Sequence, residues 1–576
     1  MPSIRQCLMA ILACLLVLSG GCKRSNGPGM GAKSTARTVP PGVAGTVAQY
    51  ASMVGDYEML VRGYGLVVGL GDAGSAEVPP AIRRYLTRLM VKHKIGSATA
   101  GLAHLTPARI LEDKDTAVVM VWGWIPPAAT RKTRFDVFVE TLPGTQTLSL
   151  DGGVLMSAEL RLALTASPAA IGDQKTLAMA HGPVFVNPFL ERGKEDQRAK
   201  MRMGRIPNGG MVQRPRSVRL ELRQGDFLQA SVIQRRINQR FGSGTKPANA
   251  RGSALIELAL PRQYAHDYIR FRDLVTHLFI EGGPAEQDRY ARQLVRAIVL
   301  PTARYEDIAL AWEAMGRQVM PLIRPLYASD NSGAAYYAAR TGLRLGDALA
   351  VDPMIGMALK ANSPFQIPAV RELGLARQFI QAVPALKRML SSPDAMLRVA
   401  AYEALVAHGS TAAVRRQTIG GRFILDVVDS QRDYTIYATS TGQPKIVLFG
   451  TQAPIRLPVF YRCGDDLVTI NAEAEAKKVM VYRRIPGAAR RRSEEFYVAP
   501  QIEDLVKTLG APAAMDVTGK IQGLDLKYSQ VLSVLYALCE GGHVPAKFVL
   551  QRSSEIRRIY GSKSAGGRPD TPEGPE

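Results

Sequence analysis

Val61-Arg62-Gly63-Tyr64-Gly65-Leu66-Val67-Val68-Gly69-Leu70 is the stretch on which the reading of this chain turns. From Tyr64 to Leu70 it is a short apolar and β-branched run bounded by glycine, the pattern of a strand. It runs on into Gly69-Leu70-Gly71-Asp72-Ala73-Gly74, which satisfies G-x-G-x-x-G after a strand. A dinucleotide fingerprint needs its last glycine to open a helix and an acidic residue about 20 positions on. Here Pro79-Pro80 intervenes and position 94 is Lys, so the glycines read as turn formers. The blocks Gly63–Leu70 and Gly204–Gly210 hold few titratable groups, which suits close backbone approach better than ligand chemistry.

Outward from that stretch, residues 50–260 alternate short apolar runs with turn residues. Strands are expected at Tyr64–Leu70, Thr116–Trp122, Phe135–Thr141, Val184–Val186, Ser217–Leu222 and Leu255–Leu260. Helices are expected over Ala81–Met90, with Ile82, Tyr85, Leu86 and Leu89 on one face, and over Phe227–Phe241, with Phe227, Leu228, Val232, Ile237 and Phe241 near helical spacing. This is an α+β pattern. Residues 287–415 differ, being rich in Ala, Leu, Met and Arg with helical periodicity. Breakers at Ser329-Asp330-Asn331, Ser363-Pro364 and Ser392-Pro393-Asp394 recur about every 30 residues, the mark of an α-solenoid of helix pairs. The unit Ser392–Leu405 resembles a HEAT-type repeat, with a plain helical bundle as the alternative. Strands return at Phe423–Val428, Lys445–Phe449, Ile455–Tyr461 and Leu467–Asn471; Ser529–Cys539 reads as an amphipathic helix and Ala546–Leu550 as a closing strand.

The chain has 576 residues, 46% hydrophobic and 21% charged, which excludes a disordered or collagen-like chain and points to several domains. Lys and Arg total 73 against 50 acidic residues, a formal charge of +23 that suits an anionic neighbour. Basic clusters at Arg131-Lys132-Arg134, Arg192–Arg205, Arg483-Arg484 and Arg490-Arg491-Arg492 sit in turn or polar stretches and read as solvated loops or as contacts to an anionic protein or lipid surface. No nucleic-acid recognition module is present, so nucleic acid is not an expected partner. G-x-x-x-x-G-K-[ST], H-E-x-x-H and G-x-S-x-G are all absent, and the seven His are scattered. No catalytic set, metal or cofactor is therefore expected. Trp122 and Trp124 flank Gly123 on one face of a strand, where a core or interface role is expected.

Arg5, the apolar run Cys7–Leu18 and Ser19-Gly20-Gly21-Cys22 form an export signal too short to span a bilayer. A Cys directly after the small residues resembles the lipobox of bacterial lipoproteins, which implies Cys22 as a lipid anchor. Lys23 rather than Asp in the next position directs that anchor to the outer membrane. Ordinary cleavage near Gly21 is the alternative. Residues 22–46 then read as a flexible tether. Of the remaining cysteines, Cys463 and Cys539 either pair in an oxidising compartment or stay as buried thiols.

The blocks quoted so far fall in a known order. Val61–Leu70 resembles the I/V-G-Y-G-L-V-V-G-L signature of the flagellar P-ring protein family, here with Gly63, Tyr64, Gly65 and Gly69. Ala117–Val121, Ile125-Pro126-Pro127 and Arg134-Phe135-Asp136-Val137 are similar to its A-x-V-x-V, L-P-P and R-I-D-V blocks. Leu150–Met156, with Gly152 and Gly153, resembles L-x-G-G-T-L-L, and Ala178–Gly182 resembles A-x-A-Q-G. Gly204-Arg205-Ile206-Pro207-Asn208-Gly209-Gly210 resembles G-R-I-P-N-G-A, and Asp226–Phe241 the helix that follows it. Ile446–Gly450, Ile455–Val459, Leu467–Ile470 and Leu526–Gly541 resemble later blocks. The resemblance implies a non-enzymatic, ring-forming subunit of the bacterial flagellar basal body, located in the periplasm around the rod and touching its own copies, the rod and the L-ring. An envelope adaptor working through the helical segment is the rival reading.

The domain plan that follows is a signal peptide (1–21), a tether (22–46), a P-ring-like α+β region (47–285), a HEAT-like helical insertion (286–415), a second P-ring-like α+β region (416–560) and a disordered tail (561–576). Because the blocks resume beyond the insertion, it is expected to fold by itself and its removal to leave the β-rich body folded.

Overall fold

The computed structural model describes residues 40–95, 106–163, 175–186, 201–265, 267–431, 433–462, 468–484, 493–515 and 521–551. Cys22, Cys463, the basic residues 490–492 and the tail from residue 561 lie outside them.

The opening stretch is the seam of a closed, six-stranded antiparallel barrel. After α1 (Val47–Tyr50) and β1 (Ala51–Val54), β2 (Met59–Val68) pairs along its whole length with β3 (Thr116–Ile125). The ring continues through β4 (Arg134–Thr141), then runs back through β5 (Val154–Leu162), β6 (Ala178–Pro183) and β7 (Met203–Val212) in the spatial order β2-β3-β4-β7-β6-β5. Val61, Val67, Val119, Val121, Val137, Leu155, Leu160 and Ile206 fill the interior. Tyr64 and Leu66 point the other way, under α2 (Pro80–Lys92) and α3 (Pro107–Leu111), whose Leu86, Leu89 and Leu111 cover them. β2 is thus buried on both faces, which is why it reads as a continuous apolar run. The Val184–Val186 segment forms no strand: Phe185 makes an isolated bridge to Arg205 and the Val184 amide donates to the Gly153 carbonyl at 2.8 Å, and the strand before it is β6, ending at Pro183.

A second layer follows. β8 (Val218–Leu222), β9 (Ala248–Ala250) and β10 (Leu255–Leu258) form a sheet with β1 in the order β1-β8-β10-β9. α4 (Phe227–Phe241) packs on it through Ala230, Ile233, Ile237 and Phe241. Phe227 and Leu228, expected on that face, are 72% and 78% exposed, because the first turn outruns the layer beneath it.

α5 (Tyr268–Thr276) leads into α6 (Pro284–Ala297), α7 (Tyr305–Met315), α8 (Met320–Ile323), α9 (Ser332–Leu345), α10 (Val351–Leu359), α11 (Gln366–Leu375), α12 (Ala382–Met389) and α13 (Ala395–His408). The breakers do what their chemistry dictates. Asn331 and Asp394 accept from the Ala334 and Met396 amides at helix starts, and Gly346 and Gly409 end α9 and α13 at φ of 89°. α7, α9, α11 and α13 pack in succession. Ion pairs cross this row: Arg340 grips Glu306 at 2.8 Å through both terminal nitrogens, Arg344 holds Glu372 at 2.7 Å, and Arg270 of α5 pairs with Glu313. Burial, with Arg344 and Arg340 close by, brings the Arg270 guanidinium down to about 9.

The last region holds β11 (Val414–Ile419), β12 (Phe423–Val428), β13 (Tyr434–Ala438), β14 (Lys445–Phe449), β15 (Val459–Arg462), β16 (Val468–Ala472), β17 (Val479–Arg483), β18 (Phe496–Val498), α14 (Ile502–Gly510), the short pair β19 (Ala514–Met515) and β20 (Ile521–Gln522), α15 (Tyr528–Glu540) and β21 (Ala546–Leu550). The expected closing strand, β21, lies parallel to β13 at the edge of the mixed sheet β11-β12-β14-β13-β21. Ile455 precedes rather than joins β15.

This sheet lies between the helical row and α15. Phe423, Leu425, Ile436, Ile446 and Leu448 face α15, whereas Val428, Tyr437, Val447 and Phe449 belong to the core of the helical row. At the joint the fully buried Asp426 accepts two bonds from Arg416, at 2.8 and 2.7 Å, and one from the Tyr402 hydroxyl of α13. The described residues from Pro41 onward form one compact unit.

Candidate functional site

Gly204-Arg205-Ile206-Pro207-Asn208-Gly209-Gly210, expected to serve close backbone approach, lies inside strand β7. It bulges there. The pairing of β4 with β7 shifts register between Phe135 and Val137, and Asn208 takes a positive φ of 55°. Asp136 of β4 fills the bulge: one carboxylate oxygen accepts from the Asn208 amide at 2.6 Å, the other from Arg205 at 2.8 Å. Arg205 and Asp136 side chains are only 12% and 14% exposed, so this pair is worth more than a surface contact. Arg205 also lies over Phe138 at 5.1 Å, and Trp122 stacks on Phe138 at 4.4 Å with Trp124 edge-on at 5.0 Å. The tryptophans therefore sit half-buried on the outer wall of the barrel rather than in its interior.

The same end of the barrel meets the last region. The Gly442 amide donates to Asp136 at 3.3 Å, and the Ser529 hydroxyl donates to Asp151 at 2.7 Å. At Gly152, φ is 75° and a Cβ would lie 2.7 Å from the Gln530 amide nitrogen, so the turn both needs the left-handed conformation and admits no side chain. Phe185 packs into the core beneath α15, with its ring 5.8 Å from that of Tyr528. Three contacts and a ring pair thus join blocks that stand about 300 residues or more apart.

The Gly69 and Gly71 amides, which would face a phosphate in a nucleotide site, donate to Asp115 at 3.2 and 2.5 Å. The cleft of about 350 Å³ between α2 and the barrel is lined chiefly by Leu66, Leu86, Leu89, Met90 and Met156 and holds no paired acid and base among the described residues. Among the described residues no His, Cys, Asp or Glu cluster suits a metal, and no helix is long and apolar enough to cross a membrane.

The family model described as flagellar P-ring protein matches residues 47–289. Flagellar P-ring proteins of Geobacter sulfurreducens and Aquifex aeolicus are 29% and 31% identical over 235 and 228 residues, 39% and 38% of this chain. The chain spans 58% and 57% of their lengths. A flagellar P-ring protein of Anaeromyxobacter sp. (strain K) is 28% identical over 366 residues, 61% of this chain and 92% of its own length.

Within the matched residues, Gly63 and Gly65 face the barrel interior, Tyr64 faces α2, and Gly69 begins the turn that Asp115 closes. Pro126 follows β3 and its carbonyl accepts from Arg216 at 3.1 Å, with Pro127 next in the turn. Gly153 leaves no room beside Val67 and Leu70, nor Gly204 beside Val184, nor Gly209 beside Ile206. Arg205 and Arg483, expected as loop cations, are held inside the fold; Arg483 donates to the Leu524 and Asp525 carbonyls at 2.9 and 3.2 Å. Cys539 is half-buried and bonds to no other cysteine among the described residues, its thiol pushed up to about 12 by burial and by Glu540; a pairing with Cys463 lies outside the described residues.

The joint residues Gly442, Ser529 and Gln530 carry no signal in the sequence, since nothing local marks them as partners of Asp136, Asp151 and Gly152. Asp136→Ala is expected to strip Arg205 and the Asn208 amide of their partner and lower stability by about 3 kcal/mol. Urea denaturation of this variant beside Arg134→Ala, an exposed neighbour, checks the value.

Proposed function

We propose that the chain is a structural, non-enzymatic subunit of a ring of the flagellar basal body, assembled in the periplasm from copies of itself around the rod and beside the L-ring. The match of residues 47–289 to the P-ring family carries this reading. The geometry agrees with it: a closed barrel leaves no free strand edge, and its interior glycines exclude cavities rather than make them. A ring requires head-to-tail contacts that close by rotation, and a sleeve around a turning shaft needs a rigid wall. Cys22 is read as a lipid anchor toward the outer membrane and residues 22–46 as its tether. The α6–α13 row is read as a HEAT-like solenoid inserted into the family's frame, supported by the successive packing of α7, α9, α11 and α13.

Negative-stain electron microscopy of the purified mature chain, alone and with rod protein, tests the ring. Closed annuli of uniform diameter are expected. Monodisperse monomers under both conditions would overturn it.

A further inference from the structure

We propose that the exposed stripe of α6 and the turn after it form a docking surface for anionic phospholipid, which brings the body of the protein against the membrane that its N-terminus reaches. Arg289, Arg292 and Arg296 recur at three- and four-residue spacing and are all exposed, so they share one side of the helix. Tyr290, Ala291, Leu294 and Ala297 hold the opposite side in the core. Asp288 engages Arg292 at 2.8 Å and Glu286 lies within electrostatic reach of Arg289, whereas Arg296 has no ion-pair partner among the described residues. At the end of the helix two apolar side chains enter water together, Val299 at 45% and Leu300 at 51% exposure. Cations beside a short apolar wedge match a phospholipid interface, where headgroup phosphates meet the arginines and the acyl boundary meets the wedge.

The course of the chain selects a membrane over an acidic protein as occupant. The Pro41 carbonyl accepts from the Tyr290 hydroxyl of α6 at 2.7 Å, and Gly42 sits so close to α7 that a Cβ would lie 2.7 Å from the Asp307 backbone. The chain therefore enters the body between α6 and α7. From Cys22 to Pro41 it can span no more than ~70 Å. An acylated Cys22 would hold this helix near the bilayer at high effective concentration, so weak contacts suffice. That step rests on the reading of Cys22 as an anchor; the stripe itself does not.

The test uses the full mature chain with Cys22→Ser, so that no acyl group contributes. Co-sedimentation is measured with phosphatidylcholine vesicles containing about one-third phosphatidylglycerol and with phosphatidylcholine alone. Binding to the anionic vesicles, strongly reduced at ~0.5 M salt, is expected. Arg289→Glu/Arg296→Glu should weaken it about tenfold or more, and Val299→Ser/Leu300→Ser about threefold. Arg84→Glu/Arg88→Glu, the same charge change on exposed positions of α2, should leave it nearly unchanged. Absent binding, equal binding to neutral vesicles, or equal losses in the α2 and α6 variants would each overturn the proposal. Acyl labelling of the wild-type chain reports on the anchor separately, and annuli in the microscope report on the ring, so the three readings can fail independently.

Discussion

Gly63→Val is expected to prevent the barrel from closing. A Cβ at position 63 would lie 2.1 Å from the Glu159 carbonyl oxygen and 3.2 Å from its carbon, so the clash is with backbone of β5 that cannot rotate away. Position 63 has no positive φ, so conformational freedom is not what glycine supplies there; it supplies room for two strands to cross where their register shifts between Arg62 and Val67. Overpacking of this kind costs on the order of 3 kcal/mol, a large part of the ~5–15 kcal/mol that holds a domain. Gly65→Val should cost less, since its Cβ meets the Leu155 side-chain tip at 2.8 Å and the Ala158 methyl at 3.0 Å. Gly356→Ala, in α10 with open space around it, should be neutral or slightly stabilising. Guanidinium denaturation of the three variants ranks them, and a Gly63→Val protein with wild-type midpoint and slope would refute the packing account.

Removing residues 286–415 and joining the ends with a Gly/Ser linker is expected to unfold the last region, the reverse of what loop-closure entropy alone suggests. The deletion takes the strand residues Val414 and Arg415 and nearly all of the helical row from α6 to α13. It exposes Val428, Tyr437, Val447 and Phe449, at about 1.5–3 kcal/mol for each apolar side chain, and takes the Tyr402 hydroxyl from the buried Asp426. The sum reaches the whole stability of a domain. Calorimetry should show the cooperative transition of the intact chain replaced by a smaller one from the barrel. A deletion variant that keeps the full unfolding enthalpy per residue would show the helical row to be separable.

The features legible in the sequence are local ones. Short apolar and β-branched runs place β4, β12 and β14 nearly residue for residue and mark the second half of β2 and the first seven residues of β3, because strands buried on one face or both need such side chains. Asn331, Asp394 and the glycines after α9 and α13 mark helix ends because capping chemistry acts within four residues. The order of the glycine and proline blocks points to the P-ring family, which the match over 47–289 bears out. The exposure of Phe227, by contrast, runs against its spacing, since helical periodicity defines a face but not how far the neighbouring layer extends.

Residue order alone marks most of the elements, their caps and the resemblance of residues 47–289 to a known family. The folded chain decides which glycines face the barrel interior, that Asp136 serves both Arg205 and Gly442, and that α13 and α15 share one sheet. The physical reason is range. Backbone dihedrals, capping bonds and periodicity are set by neighbours within a few residues, whereas register, barrel closure and the sharing of a buried carboxylate depend on groups separated by 69 to 306 positions, whose meeting only tertiary packing specifies.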